Sequence, residues 1–304
     1  MNILATCNKF SSNIIAIQPF DNLAIPYQET NMLERTDRLA LAVPSADRAI
    51  ETYQQIFNCE VVGDQQDKEV GARRVTLQWG QDQLELMEPL GPGPVYDFLK
   101  QERSGVFAGG FALADPASLA ARFEEKGVRV HEQEQDRYVV FPADFHGFGI
   151  ILSKTTDRDR VGLNDRIWQI TYAMPHLDEA LDECTELLGL SSKYTNKYIS
   201  EQFGYDGAIT WFDARDGGLL DSLEYLEPND PDKAVARFVK RNGSGIYMAS
   251  IETNDIPQIK ERVESAGPGW TGTSFGGFIH PRRLHGLLIG LVTYENWNKN
   301  RPLP

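Results

Sequence analysis

Cysteine is scarce here. Cys7, Cys59 and Cys184 are scattered and odd in number, which is not the pattern of a disulfide framework. They read as reduced structural thiols in a cytoplasmic protein. Long apolar runs are also missing: no stretch approaches the ~20 residues needed to span a bilayer. The N-terminus has no basic region followed by an apolar core and a small-residue cleavage site, so no secretory signal is expected. Basic residues are in deficit, with 30 Lys and Arg against 44 Asp and Glu, a net charge of −14. Neutralising phosphates needs clustered cations, so nucleic acid is not the expected partner. A small-molecule substrate is.

What remains is the profile of a soluble globular protein, 41% hydrophobic and 24% charged over 304 residues. That length suits two ordinary domains. The sequence repeats itself, which decides the architecture. Arg38-Leu-Ala-Leu-Ala-Val-Pro44 matches Gln169-Ile-Thr-Tyr-Ala-Met-Pro175, and a helical pattern follows each, over Ala46 to Phe57 and Leu177 to Leu188. Leu84-Glu-Leu-Met-Glu-Pro89 matches Leu223-Glu-Tyr-Leu-Glu-Pro228, Ser104-Gly105 matches Ser244-Gly245, and His146-Gly147 matches His285-Gly286. Arg38 and Gln169 lie 131 residues apart, Glu85 and Glu224 139, Ser104 and Ser244 140, His146 and His285 139. Chance would not hold register over so many features.

Each half reads as strand, helix, three strands, a connecting stretch, then the same order again. Helices are expected over Pro116 to Lys126 and Ile256 to Ala266, and a strand at Val128-Arg-Val after the capping Gly127. The fold class is therefore α+β: two tandem modules, each of two βαβββ units. The expected boundaries are an N-terminal arm at 1–32, a first module at 33–154, a polar linker at 155–163 and a second module at 164–304.

The order βαβββ twice per module resembles the vicinal oxygen chelate (glyoxalase-like) superfamily. So do the strand ending in Val-Pro, the Leu-Glu-Leu-Met-Glu-Pro segment, the Phe-Leu-Lys…Ser-Gly lead-in, and Ile279-His280-Pro281 before His285-Gly286. The lead-in and the His-Pro segment are most similar to methylmalonyl-CoA epimerase-type modules. This resemblance implies curled mixed sheets forming a cup in each module. It also implies metal ligands on four strands, converging to chelate a substrate with two neighbouring oxygens and stabilise an enolate. Carried over, those positions fall on Arg38, Glu85, Ala108 and Ile151 in the first module and on Gln169, Glu224, Met248 and Gly290 in the second. Arginine repels a cation; alanine and isoleucine offer it no side-chain donor. A salt bridge of Arg38 with Glu85 is the expected content of the first cup, ahead of anion binding by Arg38. In the second cup Met248 is soft and Gly290 supplies nothing, so the expected cofactor is none; a weakly held divalent metal completed by substrate is the remaining option.

The expected function is a metal-independent enzyme of lyase or isomerase type acting on a small carbonyl-containing or aromatic metabolite in the second cup. Glu224 would be the base, with Gln169, Tyr247 and His285 as polar contacts and Trp211, Tyr225, Met248, Gly290 and Arg282 lining the substrate site. Trp79, Trp168 and Phe275 are further aromatic candidates, although aromatics on strands more often build the core. For His146 and His285 capping of the turn is the preferred reading, with a substrate contact at the cup mouth as the other. Two alternatives stand beside the function: a non-catalytic protein that sequesters a small molecule in the same cup, and a metal-dependent epimerase or ring-cleaving dioxygenase with unorthodox ligands. The two modules can pair with each other, so a monomer is as acceptable as a homodimer.

Overall fold

The computed structural model describes residues 32–102, 105–212, 220–274 and 276–295. The N-terminal arm, apart from Met32, and with it Cys7, Ser104 and Phe275, lies outside the described residues.

The first module runs β1 (Arg35–Ala42), α1 (Ala46–Phe57), β2 (Glu60–Asp67), β3 (Ala72–Trp79), β4 (Asp82–Pro89), α2 (Pro94–Glu102), β5 (Gly105–Leu113), α3 (Pro116–Glu125), β6 (His131–Glu134), β7 (Arg137–Val140) and β8 (Ile150–Lys154). The second repeats it: β9 (Arg166–Ala173), α4 (Leu177–Leu187), β10 (Thr195–Ser200), β11 (Tyr205–Trp211), β12 (Ser222–Pro228), α5 (Ala234–Asn242), β13 (Gly245–Glu252), α6 (Ile256–Ser265), β14 (Trp270–Thr273), β15 (Gly276–Ile279) and β16 (Ile289–Val292). Both eight-stranded sheets have the same order, β2-β3-β4-β1-β5-β8-β7-β6 and β10-β11-β12-β9-β13-β16-β15-β14. The α+β duplication read from the sequence is the fold. No described helix is long and apolar enough to cross a membrane.

Local chemistry sets the elements. In α1 the Ser45 hydroxyl caps the Arg48 N–H and Asn58 ends the helix in the left-handed region at φ 58°. Ala46, Ala49, Tyr53, Ile56 and Phe57 make its buried stripe. The strand expected at Val128 is absent. Gly127 takes φ 83° and the Val128 N–H bonds back to Phe123, so the chain is still closing α3 there, and pairing begins only at His131.

The α1, α3, α4 and α6 side chains join one face of each sheet in a single apolar core shared by the modules, with Leu39, Leu41, Tyr53 and Trp79 beside Ile170, Tyr172 and Tyr225. Two glycines mark close approach between the modules. A side chain on Gly109 would strike Ile170, and one on Gly147 would strike the Ser244 carbonyl. The opposite, concave faces are the two cups. The first is closed off by α2, whose Val95, Phe98 and Leu99 pack on Ala40, Met87 and Phe107. The second is closed by α5, whose Val235, Phe238 and Val239 pack on Ala173, Leu226 and Tyr247.

Candidate active site

The first cup is full. Glu85 is wholly buried and accepts Arg38 Nη1 at 2.9 Å and Arg137 Nη2 at 2.8 Å, with Arg74 Nη1 at 3.8 Å. Burial alone would raise this carboxyl; Arg137, Arg38 and Arg74 outweigh it and hold it below the usual range. Asp37 binds the other edge of Arg38 and also Arg158. Its carboxyl is held at about 2, because those guanidiniums overcome the desolvation. Arg38 lies flat across Gly110, where a Cβ would meet its Cγ at 2.0 Å. Beyond this ion cluster, Phe107, Phe141, Val139 and Ile151 fill the rest.

The second cup has the same backbone and different contents. Register sets its rungs, since paired residues point to one face. One rung runs Trp211, Ser222, Gln169, Ser250, Gly290, Phe278 across six strands. The next runs Asn196, Ile209, Glu224, Thr171, Met248, and a third runs Tyr198, Gly207, Leu226, Ala173. Matching registers put Gly207 where the first cup has Arg74, because they pair with Leu226 and Met87 respectively, and Gly290 where it has Ile151. Two residues before Phe278 and Val139, Gly276 stands where the first cup has Arg137. Three large side chains of the first cup are thus hydrogen atoms in the second, where Tyr198 takes the space over Gly207 and Met248 and Phe278 lie over Gly290.

Glu224 lies on the middle rung of this cup, 8% exposed. Thr171 Oγ1 donates to its Oε2 at 2.6 Å and the Tyr198 hydroxyl donates to its Oε1. Among the described residues no cation pairs with it. Burial raises its pKa, and the two hydroxyl donors offset only part of the rise. Tyr198 reaches Glu224 because Gly207 has no side chain; a Cβ there would lie 2.4 Å from the phenol ring. Tyr198, which the sequence reading missed, therefore belongs to the site. Its signal was available as Gly207 in a strand whose counterpart carries Arg74.

The other expected site residues divide. Gln169 lies one rung from Glu224, its amide donating to Ser222 Oγ at 3.3 Å. Met248 and Phe278 crowd over Gly290, within 3.2 and 3.5 Å of where its Cβ would be. Trp211 is buried at the end of the first rung. Tyr247 is the extra residue of a bulge in β13 and packs edge-on to Phe238 at the α5 end. Three residues lie elsewhere. Tyr225 points away from the cup into the shared core and stacks on Tyr172. Its neighbour Glu224 faces the cup, and successive strand residues face opposite sides. His285 reaches across to the first module, its Nε2 2.9 Å from Thr52 Oγ1, while the equivalent His146 meets Glu183 at 2.8 Å. Both histidines hold left-handed backbones, φ 52° and 48°, at a turn that serves the module interface. Arg282 is exposed on the short turn Pro281–Arg283, where its N–H bonds His280 Nδ1. Of the aromatic candidates, Trp79 packs in the core against Tyr53 and Phe57, and Trp168 is buried.

The chelate positions do not fit a hard cation. Glu224 has both oxygens engaged by hydroxyls, Met248 offers a thioether, and Gly290 has no side chain. In the first cup Glu85 is neutralised by guanidiniums. Among the described residues no three His, Cys, Asp or Glu side chains gather as a metal-ligating set.

Residues 37–141 match the family described as Glyoxalase/Bleomycin resistance protein/Dioxygenase superfamily. An ethylmalonyl-CoA/methylmalonyl-CoA epimerase of Cereibacter sphaeroides is 28% identical over 126 residues, 38% of this chain and 94% of that protein. A triply substituted 4-hydroxymandelate synthase from Streptomyces coelicolor superposes with a TM-score of 0.65 over 85% of this chain and 92% of its own, at 12% identity. A xylose isomerase-like TIM barrel/4-hydroxyphenylpyruvate dioxygenase fusion protein gives 0.56 over 79% of this chain and 40% of its own, at 15% identity. These structures share the fold. Residues 37–141 are thus similar to the glyoxalase/bleomycin resistance protein/dioxygenase superfamily, and the second module repeats the same architecture.

Proposed function

We propose that the second cup is a proton-transfer site, and that the protein is an enzyme of lyase or isomerase type acting on a small carbonyl compound. One observation carries this reading. Glu224 is a buried carboxylate held by two hydroxyls and no described cation, where the equivalent Glu85 of the first cup is ringed by guanidiniums. A carboxylate in that setting is a stronger base than one in water, because burial disfavours its charge.

Glu224 takes the proton from the carbon next to the carbonyl, and the electron pair moves onto the carbonyl oxygen. Gln169 and Tyr247 supply N–H and O–H donors to that oxygen. The Tyr198 hydroxyl orients the carboxyl while it holds the proton. Return of the proton from Glu224 to the neighbouring carbon gives an isomer; loss of a leaving group from the next carbon gives a lyase product. Met248, Phe278 and Trp211 exclude water along the cup wall.

Exchange of the acidic C–H for deuterium in D2O, followed by proton NMR, tests this without knowledge of the product. Malonyl-type thioesters are the first compounds to try, because the Cereibacter relative is described as acting on them. Glu224→Gln should slow exchange by about 10²- to 10⁴-fold. Saturable uptake with no exchange in the wild type would favour a sequestering protein instead.

A further inference from the structure

The first cup holds a feature that the proton-transfer reading leaves unused. β2 and β6 are the outermost strands of its sheet, and they meet: Gln65 Nε2 donates to Glu134 Oε1 at 2.8 Å. Arg74 donates to the same oxygen from inside. Glu134 therefore closes the mouth of the cup, yet its side chain is 52% exposed while that of Arg74 is 5% exposed.

Behind Glu134 the guanidiniums are short of acceptors. Arg137 spends Nη2 on Glu85 and Nε on Gln133 Oε1 at 3.1 Å, and its Nη1 is buried with no partner. Arg74 Nε is likewise buried without a hydrogen bond, its nearest carboxylate oxygen being Asp67 Oδ2 at 3.7 Å. Buried donors left unpaired are costly, the more so on a charged group. Burial, with repulsion from Arg38 and Arg74, pushes Arg137 down to about 10 despite the nearby Glu85 and Glu134. Each arginine therefore keeps a buried donor to spare for a further acceptor.

We infer that the mouth of the first cup is a binding site for a small-molecule carboxylate, which displaces the side chain of Glu134 from Arg74 and accepts from Arg74 and from Nη1 of Arg137. A carboxylate is the class selected because the chain's own carboxylate already occupies the place. Planar two-oxygen acceptors match the guanidinium fork. Glu134 can swing into solvent, being the exposed member of the set, and Gln65 is freed with it. The apparent affinity for an outside carboxylate is then reduced by the fraction of molecules in which Glu134 has left.

Sodium acetate is the probe, titrated against sodium chloride at matched ionic strength, with the midpoint of thermal unfolding as the readout. The wild type should gain a stabilisation from acetate that grows with the logarithm of its concentration, beyond that from chloride. Glu134→Gln, which removes the competing charge at an exposed position, should lower the acetate concentration that gives the same shift by about tenfold or more. Arg74→Lys should abolish the acetate-specific part, since an ammonium lacks the fork. Equal effects of acetate and chloride on the wild type would overturn the inference, as would an acetate response confined to the Glu134→Gln variant. A response left intact by Arg74→Lys would overturn it too.

Discussion

Asp221, at the head of β12 in the second module, accepts both the N–H and the hydroxyl of Thr36 in the first, at 2.7 and 2.9 Å. The relation is reciprocal. Asp82, at the head of β4, accepts the N–H of Ile167, and each aspartate is also paired with an arginine of its own module, next to the residue the other aspartate holds: Arg35 for Asp82 and Arg166 for Asp221. These buried clasps fasten β1 and β9 side by side. Asp221→Ala would leave Arg166 and the Thr36 N–H without partners, and removing one partner of a buried pair costs about 3–5 kcal/mol. Urea unfolding should show that loss.

Asp82 also makes stability depend on pH. Burial raises its carboxyl from 3.8 to about 6, more than Arg35 and the Ile167 N–H lower it. The folded state therefore binds the proton more tightly than the unfolded chain. This contribution to stability is fully present below about pH 4 and is lost as the pH rises through about 6. Asp82→Asn should flatten that part of the stability profile, measured by unfolding across pH 4 to 7 at constant salt. An unchanged profile would place the titration elsewhere.

The duplication and the fold were legible in the sequence because they rest on long patterns. Paired segments at 131 and 139 residues fixed the repeat, and the apolar stripe of α1 fixed its ends. Glu224 was legible only through a family resemblance. What failed were matters of direction. Tyr225 was placed in the cup although it follows Glu224, and one step along a strand reverses the face. His285 was read as a cup residue, but its side chain is drawn to Thr52 in the other module, a contact visible only once the modules are docked. Tyr198 escaped because β10 is an edge strand with mixed polarity, and only its glycine partner Gly207 marks it as inward-facing.

Filling the second cup should abolish its chemistry without unfolding the protein. Gly290→Ile restores the residue found at the matching position of the first cup, Ile151. Its nearest neighbours would be the flexible Ser250 and Met248 side chains, at 3.1 and 3.2 Å from the new Cβ. Overpacking of this kind costs about 1–3 kcal/mol. Ligand binding and proton exchange should both disappear while circular dichroism remains native. Retained exchange would move the site out of this cup.

Arg38→Met should do the reverse. It strips Asp37 and Glu85 of a buried partner and destabilises by about 3–5 kcal/mol. Below its lowered unfolding temperature, the rate of proton exchange in the second cup should match the wild type, because Arg38 touches only the first. A parallel fall in both quantities would show that the cups work together.

The central claim is that Glu224 removes a proton in a cup whose donors do not suit a metal. The most direct measurement is the rate of C–H to C–D exchange, by NMR in D2O, in a panel of small carbonyl compounds with chelator-treated protein across pH 4 to 8. Exchange should survive chelation, rise with pH through a midpoint above the usual carboxylate range, and vanish in Glu224→Gln. Exchange that is lost on chelation and restored by a divalent metal, or that persists in Glu224→Gln, would contradict the claim.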